Sequence, residues 1–371
     1  MNGQIDLTIK PTMNCNMHCK HCFNGNVFSY KDHLDEYQVY TLMEKACKEY
    51  EKIKIIFHGG EPTLAGIDFY RNIFKKQQEL KDRYNSCFNN VITTNGLLLT
   101  DEFIDLFIYH NVQINISFDG PYNNILRQHT EEVKRNIFKI RDKGGKFRCF
   151  CTISKDSVSH LQEIYEWFRD NNLHFKTLPI EKRGFAKINE EIIMNPEELA
   201  SQFEKIYRYW ITDKKCKISY STMEEFAGLR REVQYKKFWF GRKIALNSDG
   251  LLYVFGRPND VNYCLGKPSE IENISSCFKR EEYTSYLKKL EDIRKIKCPN
   301  CDSRITCGGV NINIAYLYVD EVELVDYSCF QATLIDKYIL NVNDEIIVNC
   351  RNGNCSIYND FIQEKFSSYI S

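Results

Sequence analysis

Short apolar segments alternate with longer amphipathic segments along the first half of the chain. The apolar segments are predicted to be buried strands, and they cover Ile5–Lys10, Lys54–Phe57, Val91–Thr94, Gln113–Phe118, Phe147–Ile153 and His174–Leu178. The amphipathic segments are predicted to be helices, and they cover Glu36–Tyr50, Phe69–Arg83, Asp101–His110, Glu131–Lys143 and Ser159–Asn171. Six such βα units predict an α/β fold, in which a parallel sheet curves into a partial (β/α)6 barrel.

The pattern changes in the second half, where a predicted helix over Pro196–Ile211 leads into turns and short strands. Leu246–Val254 is typical of a hairpin with an Asp-Gly turn. The predicted domains are therefore a barrel over residues 1–195, a smaller α+β domain over 196–340 and a C-terminal extension of unassigned role over 341–371.

Composition narrows the possible functions. Fifty basic and fifty acidic residues give the 371-residue chain a formal net charge of zero, so nothing indicates a nucleic-acid-binding surface. The sequence has no apolar run of transmembrane length, and Met1–Lys10 lacks the apolar segment of a secretory signal. We expect a cytoplasmic protein without a membrane partner, in which thiols stay reduced.

Sixteen cysteines are present, and several of them are clustered. In a reducing compartment, clustered cysteines indicate a metal or redox site. Cys15, Cys19 and Cys22 follow the first predicted strand with the spacing CxxxCxxC. Three thiolates can hold three irons of a [4Fe–4S] cluster and leave the fourth iron open to a small molecule. A zinc site completed by His18 or His21 is the alternative.

Glycine and polar residues follow the next three predicted strands. The residues are Gly59, Gly60 and Glu61 after the second strand, Asn95 after the third, and Ser117 and Asp119 at the end of the fourth. Glycines after a strand allow the backbone to approach a cofactor closely. Active sites of parallel α/β folds form beyond the carboxyl ends of the strands, which is where all these residues are predicted to lie.

Together these motifs resemble the radical SAM superfamily, and within it the branch that carries a C-terminal SPASM domain. The resemblance implies that residues 15–22, here termed the Cys loop, hold a [4Fe–4S] cluster that cleaves S-adenosylmethionine (SAM) to a 5′-deoxyadenosyl radical. The residues that it implies for the SAM site are Gly59, Gly60, Glu61, Asn95, Ser117, Asp119 and Arg127. Among them, Glu61 is implied to help hold the SAM amino group, and Arg127 to pair with the SAM carboxylate, which suits a planar guanidinium.

A second cysteine group resembles the SPASM pattern. Its members are Cys298, Cys301, Cys307 and Cys329. The resemblance implies that they hold an auxiliary [4Fe–4S] cluster, and a zinc ribbon is the alternative. The ligands of a further auxiliary cluster are missing, because Phe255, Asn311 and Trp239–Arg242 stand at their positions. We therefore predict two clusters in all.

The remaining cysteines are not assigned by the resemblance. A replacement cluster built from four of them is an open alternative, and these four are Cys264, Cys277, Cys350 and Cys355. Cys350 and Cys355 are otherwise interpreted as a loop pair near the substrate or as surface thiols. The others are predicted to be small buried hydrophobic residues, and they are Cys47, Cys87, Cys149, Cys151 and Cys216.

The barrel motifs most resemble anaerobic sulfatase-maturating enzymes, over roughly residues 5–340. Those enzymes oxidise a Cys or Ser of a protein to formylglycine, with an Asp base directly after a hairpin cysteine. Here Phe255 and Gly256 stand at those two positions. We therefore predict instead a maturase that crosslinks, epimerises or oxidises a ribosomally made peptide or protein after hydrogen abstraction. If the reaction is an epimerisation, Cys264 is the candidate hydrogen donor.

The prediction also includes partners. An external electron donor of the flavodoxin or ferredoxin type is expected to reduce the cluster. Only fourteen residues precede Cys15, so recognition of a leader peptide is expected from a separate protein or from the C-terminal module. The alternatives are sulfatase maturation, a radical SAM enzyme acting on a small molecule, and a non-catalytic iron–sulfur or zinc protein.

Overall fold

One nine-stranded sheet organises the molecule. The computed structural model describes residues 2–25, 33–229, 243–256, 260–301, 303 and 322–369. In chain order the strands are β1 (Asn2–Ile9), β2 (Tyr50–Phe57), β3 (Cys87–Thr94), β4 (Gln113–Ser117), β5 (Phe147–Ile153), β6 (Phe175–Pro179), β7 (Lys243–Leu246), β8 (Leu252–Val254) and β9 (Cys264–Gly266). In space they run in the order β6-β5-β4-β3-β2-β1-β7-β8-β9.

The first six strands form a parallel sheet and alternate with helices. These helices are α1 (Glu36–Glu49), α2 (Ile67–Tyr84), α3 (Asp101–Tyr109), α4 (Thr130–Asp142) and α5 (Leu161–Asp170). Every neighbouring pair from β1 to β6 is parallel. Ile5, Leu7 and Ile9 alternate along β1 and are fully buried, as expected for one face of a strand packed in a core. The predicted α/β fold with a parallel sheet is confirmed.

Local sequence explains where several helices begin. Asp35 at α1 and Thr100 at α3 each accept a hydrogen bond from a backbone N–H of the first turn. Asn195 caps α6 (Pro196–Thr212) in the same way, and a proline occupies the first helical position. Side chains of this kind satisfy the N–H groups that lack a partner inside the helix, so these boundaries are encoded locally.

The parallel strands do not close into a ring within the described residues, where β6 lies at the edge of the sheet. That edge is covered by the segment before α7 (Ser221–Ala227) and by its first turn. The N–H of Phe175 donates to the carbonyl oxygen of Ser219, and the N–H of Thr177 donates to Thr222 Oγ1, both at 3.0 Å. These bonds satisfy edge groups that would otherwise be open to another strand. The barrel is thus partial, with a covered edge.

The predicted hairpin is confirmed and belongs to the same sheet. Strand β7 pairs in parallel with β1, and β8 returns antiparallel to β7. Gly250 in the connecting turn has a φ of 78°, a conformation that glycine adopts without strain. The sheet is therefore continuous across the border predicted near residue 195. The division into 1–195, 196–340 and 341–371 stays a prediction.

The second half is mostly helical. Its remaining helices are α8 (Ile274–Cys277), α9 (Glu281–Lys297), α10 (Val322–Arg351) and α11 (Asp360–Lys365). The 30-residue helix α10 was not predicted, and it packs along α6. Tyr207 of α6 donates a hydrogen bond to Asn343 of α10 at 2.6 Å, inside this interface. Among the described residues, no helix has both the length and the apolar character needed to cross a membrane.

Two of the unassigned cysteines are bonded to each other. Cys350 at the end of α10 and Cys355 form a disulfide, and both are buried. Their interpretation as surface thiols was therefore wrong, because the chain after α10 folds back onto the end of α6. Asn359 makes this contact by donating its backbone N–H to the carbonyl oxygen of Ile211 and its side-chain amide to that of Trp210. While this disulfide is formed, neither sulfur is available as a ligand for a replacement cluster.

Candidate active site

The Cys loop follows β1 and is held by loops from other strands. The N–H of Lys20 donates to the carbonyl oxygen of Leu126 at 3.1 Å, beyond β4. The N–H of Phe185, beyond β6, donates to the carbonyl oxygen of Cys22 at 2.9 Å. Asn189 adds a bond to the carbonyl oxygen of Lys20. The loop is therefore held from both sides at the carboxyl end of the sheet, where the strand-end rule places an active site.

Gly59 and Gly60 bring the loop after β2 against the start of the Cys loop. The N–H of Gly60 donates to the carbonyl oxygen of Thr12 at 3.0 Å, and that of Glu61 donates to Asn14 at 2.8 Å. A Cβ atom at Gly60 would lie 2.1 Å from the carbonyl oxygen of Asn14. Glycine is required here because two backbones touch, which explains the motif without reference to a cofactor.

Gly60→Ala is expected to destabilise the fold by about 1–3 kcal/mol, the usual range for overpacking a filled space. The displaced backbone is also expected to lower iron incorporation at the Cys loop. Urea unfolding and iron analysis of reconstituted protein check both effects. Gly256→Ala is the stability control, since a Cβ there meets no atom within 4 Å. Wild-type stability in Gly60→Ala would contradict the close contact.

The Glu61 carboxylate is buried and already accepts several hydrogen bonds. One oxygen accepts from the backbone N–H of Thr63 at 3.0 Å, from its hydroxyl at 2.5 Å and from the hydroxyl of Thr94 at 2.7 Å. The other oxygen accepts from the N–H of Asn95 at 2.7 Å. Burial raises the pKa of Glu61, and the hydrogen bonds oppose that rise. Glu61 thus ties the loops after β2 and β3 together, and its predicted contact with SAM stays a prediction.

Asn95 and Ser117 occupy the ends of β3 and β4. The Asn95 amide donates to Asn16 Oδ1 at 2.7 Å and lies 3.8 Å from the sulfur of Cys15. Ser117 is the last residue of β4 and is partly exposed. The structure thus brings Asn95 directly to the Cys loop, as the strand-end argument predicts.

A buried ion pair lies beside the second cysteine of the loop. Arg127 Nε donates to Asp119 Oδ2 at 2.9 Å, and the two side chains are 9% and 3% exposed. Arg127 also donates to Thr152 Oγ1 at 2.8 Å and lies 3.9 Å from the sulfur of Cys19. Burial would lower the pKa of Arg127, but Asp119 and Cys19 raise it, so the guanidinium stays charged. Asp119 therefore positions Arg127 next to the loop.

Cys15, Cys19 and Cys22 carry the thiol groups that iron–sulfur clusters use as ligands. Burial raises the pKa of Cys15 to about 11, and Cys19 and Cys22 add to the rise. Burial also raises the pKa of Cys19 and of Cys22. Thiolate ligands at these positions would therefore need a compensating positive charge. His21 Nδ1 is also buried without a hydrogen-bond partner within the described chain.

Three of the four predicted auxiliary ligands lie within the described residues, and Cys307 lies outside them. Cys298 ends α9, and the N–H of Cys301 donates to its carbonyl oxygen at 3.3 Å. Cys301 Sγ is 3.9 Å from Thr333 Oγ1, which donates to the carbonyl oxygen of Cys329 on α10. The two cysteine segments thus meet. In the described ranges, no three His, Cys, Asp or Glu side chains converge closely enough to hold a single metal ion.

Other cysteine predictions have mixed outcomes. Cys47, Cys149 and Cys151 are buried as predicted, whereas Cys216 is half-buried. Cys87 is exposed, because it is the first residue of β3 and lies at the rim of the sheet. Cys264 is half-buried at the start of β9, and its role stays a prediction.

Phe255 stands where a further cluster ligand was predicted to be missing. Its ring packs against Tyr283 and Tyr286 of α9, with centroids 5.3 and 5.2 Å apart. An aromatic core contact therefore fills this position. The other two positions named for that cluster, Asn311 and Trp239–Arg242, lie outside the described residues.

Sequence reasoning missed several residues of this site. Thr152 binds both Asp119 and Arg127, and Gln128 donates to and accepts from the backbone of His18 in the Cys loop. Thr152 is the second-last residue of β5. The strand-end rule that we applied to the other strands would therefore have found it. Gln128 carries no such signal, since only the tertiary fold brings it to the loop.

Comparison with known proteins places this site in a class. Residues 9–168 match the model of the Radical SAM superfamily. The structure of native anSMEcpe with bound AdoMet superposes with a TM-score of 0.72 at 18% identity, covering 92% of this chain and 99% of that one. Streptococcus suis SuiB bound to S-adenosylmethionine gives 0.58 at 17% identity, covering 76% and 67%. This chain therefore contains a radical SAM domain.

Curated relatives of similar sequence include two types of anaerobic sulfatase-maturating enzyme. The cysteine-type anaerobic sulfatase-maturating enzyme of Clostridium novyi is 24% identical over 226 residues, which cover 56% of this chain and 60% of the relative. The serine-type enzyme of Bacteroides thetaiotaomicron is 22% identical over 334 residues, which cover 80% and 79%. The chain spans 54 to 61% of the length of three of the curated relatives that it matches. Beyond the radical SAM domain, the similarity is therefore to part of proteins named anaerobic sulfatase-maturating enzymes.

Proposed function

We propose that this protein modifies a peptide or protein substrate by SAM-dependent hydrogen abstraction, with a [4Fe–4S] cluster on Cys15, Cys19 and Cys22. The observation that carries the proposal is the assembly of the Cys loop with the ends of β2 to β5. A cluster with bound SAM supplies one-electron chemistry that the side chains themselves lack.

The roles of the side chains follow from their contacts. Asp119 holds Arg127 beside Cys19, where the guanidinium nitrogen that faces Cys19 would bind an anionic group of SAM. Glu61 fixes the loop that carries Asn95, which lies against Cys15. The packed backbones of Gly60 and Asn14 fix the position of one side of the loop. These arrangements orient the ligands before SAM binds.

The decisive experiment is anaerobic reconstitution with iron and sulfide, followed by dithionite and SAM. The expected product is 5′-deoxyadenosine, detected by chromatography and mass. Zinc in place of iron, with no 5′-deoxyadenosine, would reject the proposal in favour of a non-catalytic metal protein.

The reconstituted chain is expected to hold about eight irons, from two four-iron clusters. Cys298→Ala is expected to lower the count to about four, because the auxiliary cluster would lose a ligand. Iron and labile sulfide analysis with Mössbauer spectroscopy measures both values. A reproducible count near twelve in the wild-type chain would show that a third cluster had been overlooked.

A peptide substrate is supported by the relatives rather than by this chain. The neighbours of known structure include anSMEcpe with bound AdoMet and Cp18Cys peptide, and SuiB bound to precursor peptide SuiA. We propose a ribosomally made peptide or protein as the substrate, a flavodoxin or ferredoxin as the electron donor and the cytoplasm as the location. Mass spectrometry of a short peptide encoded beside the gene, before and after incubation, tests the substrate.

Sulfatase maturation is the second candidate, and the names of the relatives favour it. Gly256 after the hairpin argues against it, since a glycine offers no side chain as a base. Incubation with a sulfatase-derived peptide that contains Cys or Ser separates the two candidates. Formylglycine in the product would support sulfatase maturation over the first proposal.

A further inference from the structure

Two cationic side chains lie beside the Cys loop, one after the first parallel strand and one after the last. Lys10 directly follows β1, and Arg183 lies in the loop after β6. The guanidinium of Arg183 lies over the ring of Phe23, 5.7 Å from its centroid, and Phe23 directly follows Cys22. The loops after the first and the last parallel strand therefore converge across the open side of the partial barrel.

Lys10 is buried between the loop after β2 and the end of the hairpin. It is 5% exposed, and its Nζ donates to the carbonyl oxygen of Gly256 at 3.1 Å. Its Cβ lies 3.3 Å from the position that a Cβ at Gly59 would take. Burial lowers the pKa of Lys10 to about 7, and Arg183 lowers it further than any other charge. A bound anion would therefore stabilise the charged form of Lys10.

The guanidinium of Arg183 has the aromatic contact with Phe23 and, within the described part of the chain, neither a hydrogen bond nor an ion pair. Arginine has five N–H donors, so a half-buried guanidinium without acceptors is suited to an external anion. Arg127 is different in this respect, because Asp119 already pairs with it.

The described charged groups that act on the pKa of Lys10 include both signs. Asp249 of the hairpin turn raises the pKa of Lys10, but it also accepts hydrogen bonds from the Tyr253 hydroxyl at 2.7 Å and the N–H of Leu251 at 3.0 Å. Lys243 adds positive charge. Burial lowers the pKa of His58, whose ring contacts Phe23, to about 4, so that imidazole is neutral.

We propose that Lys10 and Arg183 form a subsite for a carboxylate of the substrate. The substrate would then carry an acidic side chain, or a free C-terminal carboxylate, close to the residue that is modified. The inference rests on the proposed function, because it assumes that the substrate enters beside the Cys loop. A fork of N–H donors and a nearby ammonium are the groups that proteins use to bind carboxylates.

The test measures binding and does not require turnover. The probes are two fluorescein-labelled Ala-Ala-Cys-Ala-Ala peptides that differ only in a C-terminal carboxylate or amide. Fluorescence anisotropy with the reconstituted, SAM-loaded full chain gives both affinities. The carboxylate peptide is expected to bind at least tenfold tighter than the amide peptide. That ratio is expected to fall to about one in Arg183→Gln and Lys10→Met.

The controls separate charge from structure. Arg183→Lys is expected to keep part of the preference, since it keeps the charge and loses the fork. Lys155→Gln, at an exposed lysine beyond β5, is expected to keep all of it. Thermal unfolding confirms that each variant is folded, and Arg183→Gln decides alone if Lys10→Met does not fold.

Two results would overturn the subsite. One is equal affinity for the two peptides, or no binding of either peptide, in the wild-type chain. The other is an unchanged ratio of the two peptide affinities in Arg183→Gln. If SAM binding is also weaker in that variant, Arg183 serves the cofactor instead. Failure of the proposed function is recognised separately, by the absence of 5′-deoxyadenosine in the reconstitution experiment.

Discussion

Alanine at Cys15, Cys19 or Cys22 is expected to abolish the reductive cleavage of SAM. A [4Fe–4S] cluster that keeps one iron open needs all three thiolates of the Cys loop. Loss of an outer partner of a metal ligand commonly costs about 10–100-fold in affinity or activity, so loss of a ligand itself is expected to cost at least ~100-fold. Formation of 5′-deoxyadenosine by anaerobically reconstituted variants measures the effect.

The metal content of the same variants gives an independent readout. Each variant is expected to lose about four of about eight irons, because the auxiliary site does not depend on the loop. Cys47→Ala is the control, since Cys47 is a buried cysteine of α1, outside the Cys loop. Full 5′-deoxyadenosine formation in any of the three loop variants would refute the assignment of the Cys loop.

Asp119→Asn is expected to be the most damaging substitution outside the cysteines. It leaves the guanidinium of Arg127 buried without its counter-charge, which typically costs about 3–5 kcal/mol of unfolding free energy. Arg127 would also lose its fixed position 3.9 Å from Cys19 Sγ. We expect SAM cleavage per folded molecule to fall at least tenfold, measured beside a urea unfolding curve.

Two further variants show whether Asp119 acts on stability alone. In Asp119→Leu with Arg127→Met, no buried charge is left unpaired, so stability is expected to recover while SAM cleavage stays low. Asp213→Asn breaks the ion pair of Asp213 with Arg169, in which the N–O distance is 2.7 Å, while Arg169 keeps its second partner Asp170. It is expected to lower stability without lowering cleavage per folded molecule. Recovery of cleavage in the double variant would contradict the positioning role.

The sequence predicted the parallel sheet well because its signals are local. Apolar segments of strand length alternate with helical periodicity, and side chains such as Asp35 and Thr100 cap helices from within their own segment. The strand-end rule also placed Gly60, Glu61 and Asn95 together, since parallel strands present their carboxyl ends at one edge.

Other features depend on contacts between distant segments. Helix α10 has no clear helical periodicity of apolar residues, and its packing against α6 stabilises it. The Cys350–Cys355 disulfide depends on the fold of the chain after α10. Cys87 was expected inside because cysteine is usually buried, but its place at the rim of β3 exposes it.

The sequence by itself determined the order of the βα units, the three-cysteine loop and the motifs at the strand ends, because periodicity and spacing are properties of contiguous residues. Only the tertiary structure decided how those motifs are used. It pairs Asp119 with Arg127, saturates Glu61 with hydrogen bonds and places Arg183 over the ring of Phe23 beside the Cys loop. Charge and hydrogen bonding act through space, so residues far apart in the chain set the chemistry of the Cys loop.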